Sequence, residues 1–278
     1  MTVAVALAIV LQTVFGLAFD SHSTAAGAWP YLDVIPSHNW ASRAADCAAD
    51  EDNAVGYLHW ASIWKPGVNS RIPEECENHP LLLGNEGHSK WQAWQRSEEL
   101  AEALHALSPL AEGYCCGATY DGAGLMYTLE VLGAYYGKYG AWPHLAGLHI
   151  HVYSQRSAPL ADASLLVFWR LLADLFGWRV AVSEYACIGN SWESSAACLP
   201  DLHRQIVDVL HPAAMFVFSD MHCQPPACRN EQGWPFNDLR FADGRWTPVG
   251  EAWLALTGYE VIVAEMEGRR LYAPVVWR

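Results

Sequence analysis

Eight short apolar runs recur along this chain, each ending near polar or aromatic residues, and helical stretches lie between several of them. The runs are TVFGLAFD (13–20), YLDVIPS (31–37), AVGYLHW (54–60), PLLLGNE (80–86), EGYCCGAT (112–119), LAGLHIHVY (145–153), RVAVSEY (179–185) and AAMFVFSD (213–220). Each has the length of a strand, and near-continuous apolar runs are what strands covered on both faces require. Between them, Ser89–Leu107 carries capping-box spacing at Ser89 and Gln92, and Asp162–Phe176 starts at an Asp and stops at Gly177. Buried strands alternating with helices imply a parallel sheet, and eight repeats of the pair close into a single (β/α)8 barrel. A chain of 278 residues suits one such domain. We expect the barrel over 13–278, with 1–12 (MTVAVALAIVLQ) as a leader: that segment is apolar enough for a secretion signal, though no basic residue precedes it.

In a barrel of this kind the chemistry sits where strands end, because the loops there converge on one concave face. Four runs end in residues able to move protons or hold hydroxyls: GNEGH, HIHVY, SEY and FSDMH. Two of them carry a glutamate far apart in sequence, Glu86 on the fourth run and Glu184 on the seventh, so neither belongs to a charged helix face. Glycoside hydrolysis needs a pair like this, one carboxyl group to protonate the leaving oxygen and one to attack or activate water at the anomeric carbon.

Composition bears on the partner. With 16 Lys+Arg against 30 Asp+Glu, the formal charge of −14 repels phosphate backbones and anionic lipid, which argues against a nucleic-acid or membrane partner beyond the leader. The 14 Trp and 12 Tyr exceed what one core needs, and flat amphipathic rings suit the apolar faces of sugars. Trp60, Trp64, Trp91, Trp192 and Trp234 all follow strand runs and are candidates for a sugar cleft; His59 precedes the first of them. Of eight cysteines, Cys187/Cys198 and Cys223/Cys228 are close pairs in polar loop-like sequence, and Cys47 and Cys76 also lie in polar stretches, which points to an oxidising, extracytoplasmic location. Cys115 and Cys116, inside an apolar run, read instead as buried thiols.

The order LLLGNE at the fourth strand, LHIHVY at the sixth and VAVSEY at the seventh resembles the clan A glycoside hydrolases, closest in pattern to the small-barrel family 128-type endo-β-1,3-glucanases. The tail DLRFADGRWTPVGEAW (238–253) resembles the clan's ending, and the likeness runs from about residue 13 to 256. The resemblance implies a retaining hydrolase with Glu86 as acid/base, Glu184 as nucleophile, Asn85 on a sugar hydroxyl and His151 and Tyr153 lining the site, acting on a β-glucan as a monomer without a cofactor. Two positions depart from the pattern: Gly87 stands where a Pro usually follows the acid/base, and the eighth run offers Phe216 or Phe218 in place of a Trp platform.

Two other readings compete. His149 and His151 are two apart on a strand and so share a face, a spacing used by metal-dependent barrel hydrolases; His22, His38, His59, His222 and Asp220 lie near other strand ends. A barrel that binds glycan through its aromatics without cleaving it is the other.

Overall fold

The computed structural model describes residues 13–19, 37–39, 59–63, 65–67, 79–90, 92–107, 113–154, 160–219, 239, 245–257, 263–266 and 269–272. Eight strands form one sheet: β1 (Val14–Phe19), β2 (Ser37–Asn39), β3 (His59–Ile63), β4 (Leu81–Leu83), β5 (Gly113–Thr119), β6 (Gly147–Ser154), β7 (Arg179–Cys187) and β8 (Ala214–Ser219). Neighbours in sequence pair in parallel from β1 to β8, and β8 returns to pair with β1 from Val14↔Ala214 to Phe19↔Ser219, so the sheet closes. Five helices are described, α1 (Ser97–Leu107), α2 (Gly122–Tyr139), α3 (Ala163–Phe176), α4 (Trp192–Leu210) and α5 (Pro248–Thr257). They follow β4 to β8, while any helices after β1, β2 and β3 lie outside the described residues. A separate antiparallel pair is made by β9 (Val263–Met266) and β10 (Arg269–Tyr272). Among the described residues no helix is long and apolar enough to cross a membrane.

Several sequence expectations shift by a few residues. Of the second and third runs the described residues form strands at Ser37–Asn39 and His59–Ile63, the earlier part of each run lying outside the described residues. The helix read from Ser89 begins at Ser97, because Gly84–Arg96 turns back on itself, Gln95 N–H donating to Gly87 O at 2.9 Å. At α3 the punctuation holds: the Asp162 carboxylate accepts from the Ser164 and Leu165 amides, and Gly177 ends the helix at φ 68°. Asp121 caps α2 in the same way. Cys115 and Cys116 are buried, as expected, but their sulfurs are within disulfide-bonding distance of one another rather than free. Strand alternation turns neighbours to opposite faces, so a bond between adjacent residues is not legible from pattern.

Alternation separates two cores. Leu81, Leu83, Leu148, Ile150, Val152, Val180 and Val182 pack outward against the helices, where Leu104, Val131, Trp169 and Leu202 are fully or almost fully buried. Burying one such aliphatic side chain stabilises by about 1.5–3 kcal/mol, so this ring of contacts dominates the energetics of closure. Inside the barrel, Ala18, Trp60, Leu82, Tyr114, Ala181, Ala214, Phe216 and Phe218 form a second cluster. Trp60 is its centre, with ring centroids 5.0 Å from Tyr114 and 5.4 Å from Phe216. These rings fill the barrel, and the inward residues further along the strands stand on them.

Two irregularities aim those residues. Between β5 and β6 the register slips at Gly117, which adopts φ +63°. A Cβ there would overlap the Gly84 carbonyl and come 2.8 Å from the His149 ring, so only glycine lets β4 and β5 approach this closely. Between β6 and β7 the register slips at Ser183: Ile150 pairs with Val182, but His151 pairs with Glu184.

Candidate active site

β6 sends His149, His151 and Tyr153 inward, one above another, with ring centroids 6.5 and 6.4 Å apart. The lower imidazole is fully buried and saturated: His149 Nε2 lies 3.1 Å from Leu83 O and Nδ1 2.8 Å from Ser183 Oγ. A carbonyl only accepts, so Nε2 donates to Leu83 O, while Nδ1 meets Ser183 Oγ, a hydroxyl that also lies 3.4 Å from Ile150 O. Leaving such nitrogens unpaired would cost about 1–3 kcal/mol each; paired, His149 is a structural member of the interior. Both of its ring nitrogens are engaged by protein atoms, which argues against the chelating pair that the His-x-His spacing suggested.

His151 gathers the two glutamates. Its Nδ1 is 3.0 Å from Glu86 Oε1 and 3.4 Å from Glu184 Oε2. Burial alone would push the imidazole pKa down, but the Glu184 charge, the hydrogen bond to Glu86 and the Glu86 charge together hold it above the ordinary value. The Tyr153 hydroxyl donates to Glu184 Oε2, so that carboxylate oxygen meets a phenol and an imidazole at once. Two oxygens at 3.0 and 3.4 Å from one nitrogen are no more than 6.4 Å from each other.

Backbone geometry brings Glu86 over the barrel. Gly84 (φ +95°) and Glu86 itself (φ +47°) are both left-handed, an arrangement that costs a non-glycine residue of order 1 kcal/mol. Two hydrogen bonds offset it: Glu86 N–H to Gly117 O at 2.6 Å, and Ser89 N–H to Glu86 O at 2.7 Å. The β5 irregularity thus supplies the acceptor that anchors the β4 glutamate. Asn85 is buried at 6 % exposure, yet among the described residues its side-chain amide makes no hydrogen bond.

The remaining expected residues divide. Phe218 lies beside the site, its ring edge-on to Tyr153 at 6.2 Å, whereas Phe216 belongs to the buried plug. Trp60 is 6 % exposed within that plug, beneath the carboxylates rather than lining an open cleft. Trp192 opens α4, half-buried against the outer core. His59 lies in β3, its side chain outside the described residues, as are Trp64, Trp91 and Trp234 and the Cys223/Cys228 pair. Cys187 and Cys198 are within disulfide-bonding distance, Cα–Cα 5.9 Å, and Ser154 Oγ lies 3.2 and 3.3 Å from the two sulfurs.

One group in the GNEGH motif escaped the sequence reading. His88 Nε2 is 2.8 Å from Thr119 Oγ1, which donates to Asp121 Oδ1 at 2.9 Å. Burial keeps the His88 pKa below its ordinary value against the opposing pull of Glu86 and Asp121, so a neutral imidazole stands next to the acidic residue. Its sequence distance of two from Glu86 was the available signal.

No protein-family model matches the chain, and no curated protein matches its sequence. Solved structures do. The subgroup II endo-β-1,3-glucanase of glycoside hydrolase family 128 from Pseudomonas viridiflava superposes with a TM-score of 0.62 at 18 % identity, over 87 % of this chain and 97 % of that one. The subgroup I endo-β-1,3-glucanase from Amycolatopsis mediterranei, solved with laminaritriose, gives 0.61 at 13 % identity over 88 % and 100 %. The subgroup III curdlan-specific exo-β-1,3-glucanase from Blastomyces gilchristii, solved with glucose, gives 0.58 at 17 % over 86 % and 97 %. The chain has the fold of these glycoside hydrolases, a closed parallel α/β sheet, across most of its length.

Proposed function

We propose that this chain is a retaining β-1,3-glucan hydrolase built on a (β/α)8 barrel over residues 13–278, with Glu184 as nucleophile and Glu86 as acid/base. One observation carries the reading: both carboxylates reach the same nitrogen of His151, which limits their facing oxygens to a separation of 6.4 Å or less. Retaining enzymes hold the pair about 5–5.5 Å apart, whereas inverting ones leave about 6.5–9.5 Å for a water. The likeness in fold to family 128 glucanases, among them structures holding laminaritriose and glucose, supports a β-1,3-glucan as the substrate class.

The steps follow from the contacts. Glu184 attacks the anomeric carbon while Glu86 gives its proton to the glycosidic oxygen, and the carbon–oxygen bond to the leaving sugar breaks. Glu86, now ionised, takes a proton from water; that water attacks the same carbon and releases Glu184 from the ester. Tyr153 donates to Glu184 and holds its orientation, His151 bridges the two carboxylates, and Asn85 offers its unengaged amide to a sugar hydroxyl. Phe218, edge-on to Tyr153, is the described aromatic beside the carboxylates and is assigned the role of sugar platform. The protein works as a secreted or extracytoplasmic monomer, a location supported by the Cys187/Cys198 pair. No cofactor takes part in these steps.

The test is a substrate panel. The purified chain is incubated with β-1,3-, β-1,4- and mixed-linkage glucans, mannan and xylan, and reducing ends are followed. Release from curdlan or laminarin above all others is the expected result; release only from another glycan, or from none, refutes the substrate assignment.

A further inference from the structure

The turn that carries Glu86 is fastened to β5 twice. Glu86 N–H donates to Gly117 O at 2.6 Å, and, two residues further along both, His88 Nε2 lies 2.8 Å from Thr119 Oγ1. Ser89 N–H closes the turn on Glu86 O at 2.7 Å. The first fastening is backbone to backbone; the second depends on a side chain, and what stands behind that side chain is fixed. Thr119 Oγ1 donates its one hydrogen to Asp121 Oδ1 at 2.9 Å, so it accepts from His88, and Nε2 is the nitrogen that carries the ring's hydrogen. Asp121 is held in turn as the cap of α2, accepting from Gly124 N–H at 3.0 Å. A chain of hydrogen bonds thus runs from the turn to the start of a helix, every donor pointing the same way. The ring itself lies 5.7 Å, centroid to centroid, from Tyr127, which fills the space where a Cβ on Gly87 would stand.

His88 Nδ1 is buried and, among the described residues, has no partner. A second proton there would bury a charged N–H with nothing to receive it, so the ring stays neutral, in keeping with the burial that lowers its pKa. A neutral fastening suits an acid, because a cation in the same place would favour loss of the Glu86 proton. Thr119 is also the register partner of His151, and Tyr120 N–H donates to His151 O at 2.9 Å. His88 is therefore fastened to β5 level with the imidazole that meets Glu86 Oε1 at 3.0 Å from β6. Glu86 is held through its turn from one strand and through its carboxylate from the next. We infer that His88 is a positioning residue for the acid/base: bonded through Thr119 to Asp121, it pins the Glu86 turn to the end of β5 and so sets where the proton is delivered. This rests on the proposed two-glutamate reaction and adds to it the device that places its acid.

The experiment compares two substrates on His88→Ala, Thr119→Val and Thr119→Ser. Laminarihexaose has a sugar leaving group that needs a proton; dinitrophenyl β-laminaribioside has one that departs without it. His88→Ala is expected to lower kcat/KM on the hexaose by about 10–100-fold, through kcat rather than KM, and to cost the dinitrophenyl glycoside far less. Thr119→Val keeps the side chain's shape without its hydroxyl and is expected to show the same split, while Thr119→Ser, which restores the hydroxyl, recovers most of the rate. The surviving dinitrophenyl activity also reports that the variants are folded. Equal losses on both substrates, no loss on either, or Thr119→Ser as slow as Thr119→Val overturns the inference while leaving the glycosidase reading intact. A wild-type protein inert toward both substrates overturns the two together.

Discussion

His151 and Glu184 face each other across β6 and β7 because the register between the strands slips by one residue at Ser183. Along β7, Val180 and Val182 face the helices and Ala181 the interior. Strict alternation would then send Ser183 inward and Glu184 outward into the apolar layer. The slip lets both point in, Ser183 to His149 and Glu184 to His151 and Tyr153, after which Tyr185 resumes the outward side and meets His203. A β-bulge is a known means of re-aiming a side chain.

The two carboxylates have separable roles. Glu184→Gln is expected to reduce turnover below detection on every substrate, since no leaving group replaces a missing nucleophile. Glu86→Ala is expected to cost about 10²–10⁴-fold on natural linkages, to spare substrates with activated leaving groups, and to yield a β-glycosyl azide when azide is supplied. Product anomers read by NMR should retain configuration; an inverted product, or near-normal Glu184→Gln activity, contradicts the assignment.

Gly117 and Gly133 make a matched pair of substitutions. Gly117→Ala adds a Cβ at φ +63° against the Gly84 carbonyl and the His149 ring, and is expected to destabilise by roughly 3 kcal/mol or more and to displace Glu86, whose amide bonds Gly117 O. Gly133→Ala, in α2 with nothing within 4 Å of the added atom, is expected to stabilise by about 0.5–1 kcal/mol. Urea midpoints read both, and equal effects would remove the steric account of the β4–β5 approach.

His203 is expected to govern part of the acid sensitivity. Burial lowers its pKa from 6.5 to about 4, with Tyr185 OH 2.9 Å from Nδ1. Between those values the unfolded chain binds a proton that the folded one refuses, so stability falls as pH drops from 6.5 toward 4, by about 3 kcal/mol from this group. His151 has the opposite sign: its raised pKa contributes stability below 6.5 that is lost as pH rises through the folded value. A His203→Gln protein should be less stable at pH 7 and show a shallower decline across this window. Parallel wild-type and variant curves would show that His203 does not titrate this way.

The Cys187/Cys198 link ties the end of β7 to the second turn of α4. A closed loop this short stabilises by roughly 3 kcal/mol in the chain-entropy view, so Cys198→Ser should lower the unfolding midpoint accordingly in oxidised protein. Peptide mapping without reduction should recover the 187–198 pair; finding both thiols free removes this support for an extracytoplasmic location.

Chelation tests the histidines. With His149 Nε2 and Nδ1 held by Leu83 O and Ser183 Oγ, exhaustive treatment with EDTA is expected to leave activity unchanged. Activity lost to chelation and restored by zinc would reinstate the metal hydrolase.

Much of the barrel was legible in the chain. Apolar runs of strand length announce themselves because a strand covered on both faces needs nearly every residue apolar, and the Asp162 and Gly177 signals bound a helix because capping is a local interaction. Glu86 and Glu184 stood out for a related reason: a carboxylate at the end of an apolar run is expensive to bury without a purpose. The neighbourhoods they occupy were not legible. Trp60 read as a cleft residue because the third run ends there, yet β3 runs from His59 to Ile63, so Trp60 stands near its start and its ring packs inside the barrel. Glu184 points inward through a slip that no local propensity encodes, and Glu86 holds its left-handed backbone against a carbonyl from the next strand. Sequence alone determined the succession of strands and the residues able to do chemistry, because both are properties of short stretches. Only the tertiary structure decided which of them meet, because two oxygens and one nitrogen brought within 3.0 and 3.4 Å come from β6, β7 and the loop after β4, whose relative placement is set by packing.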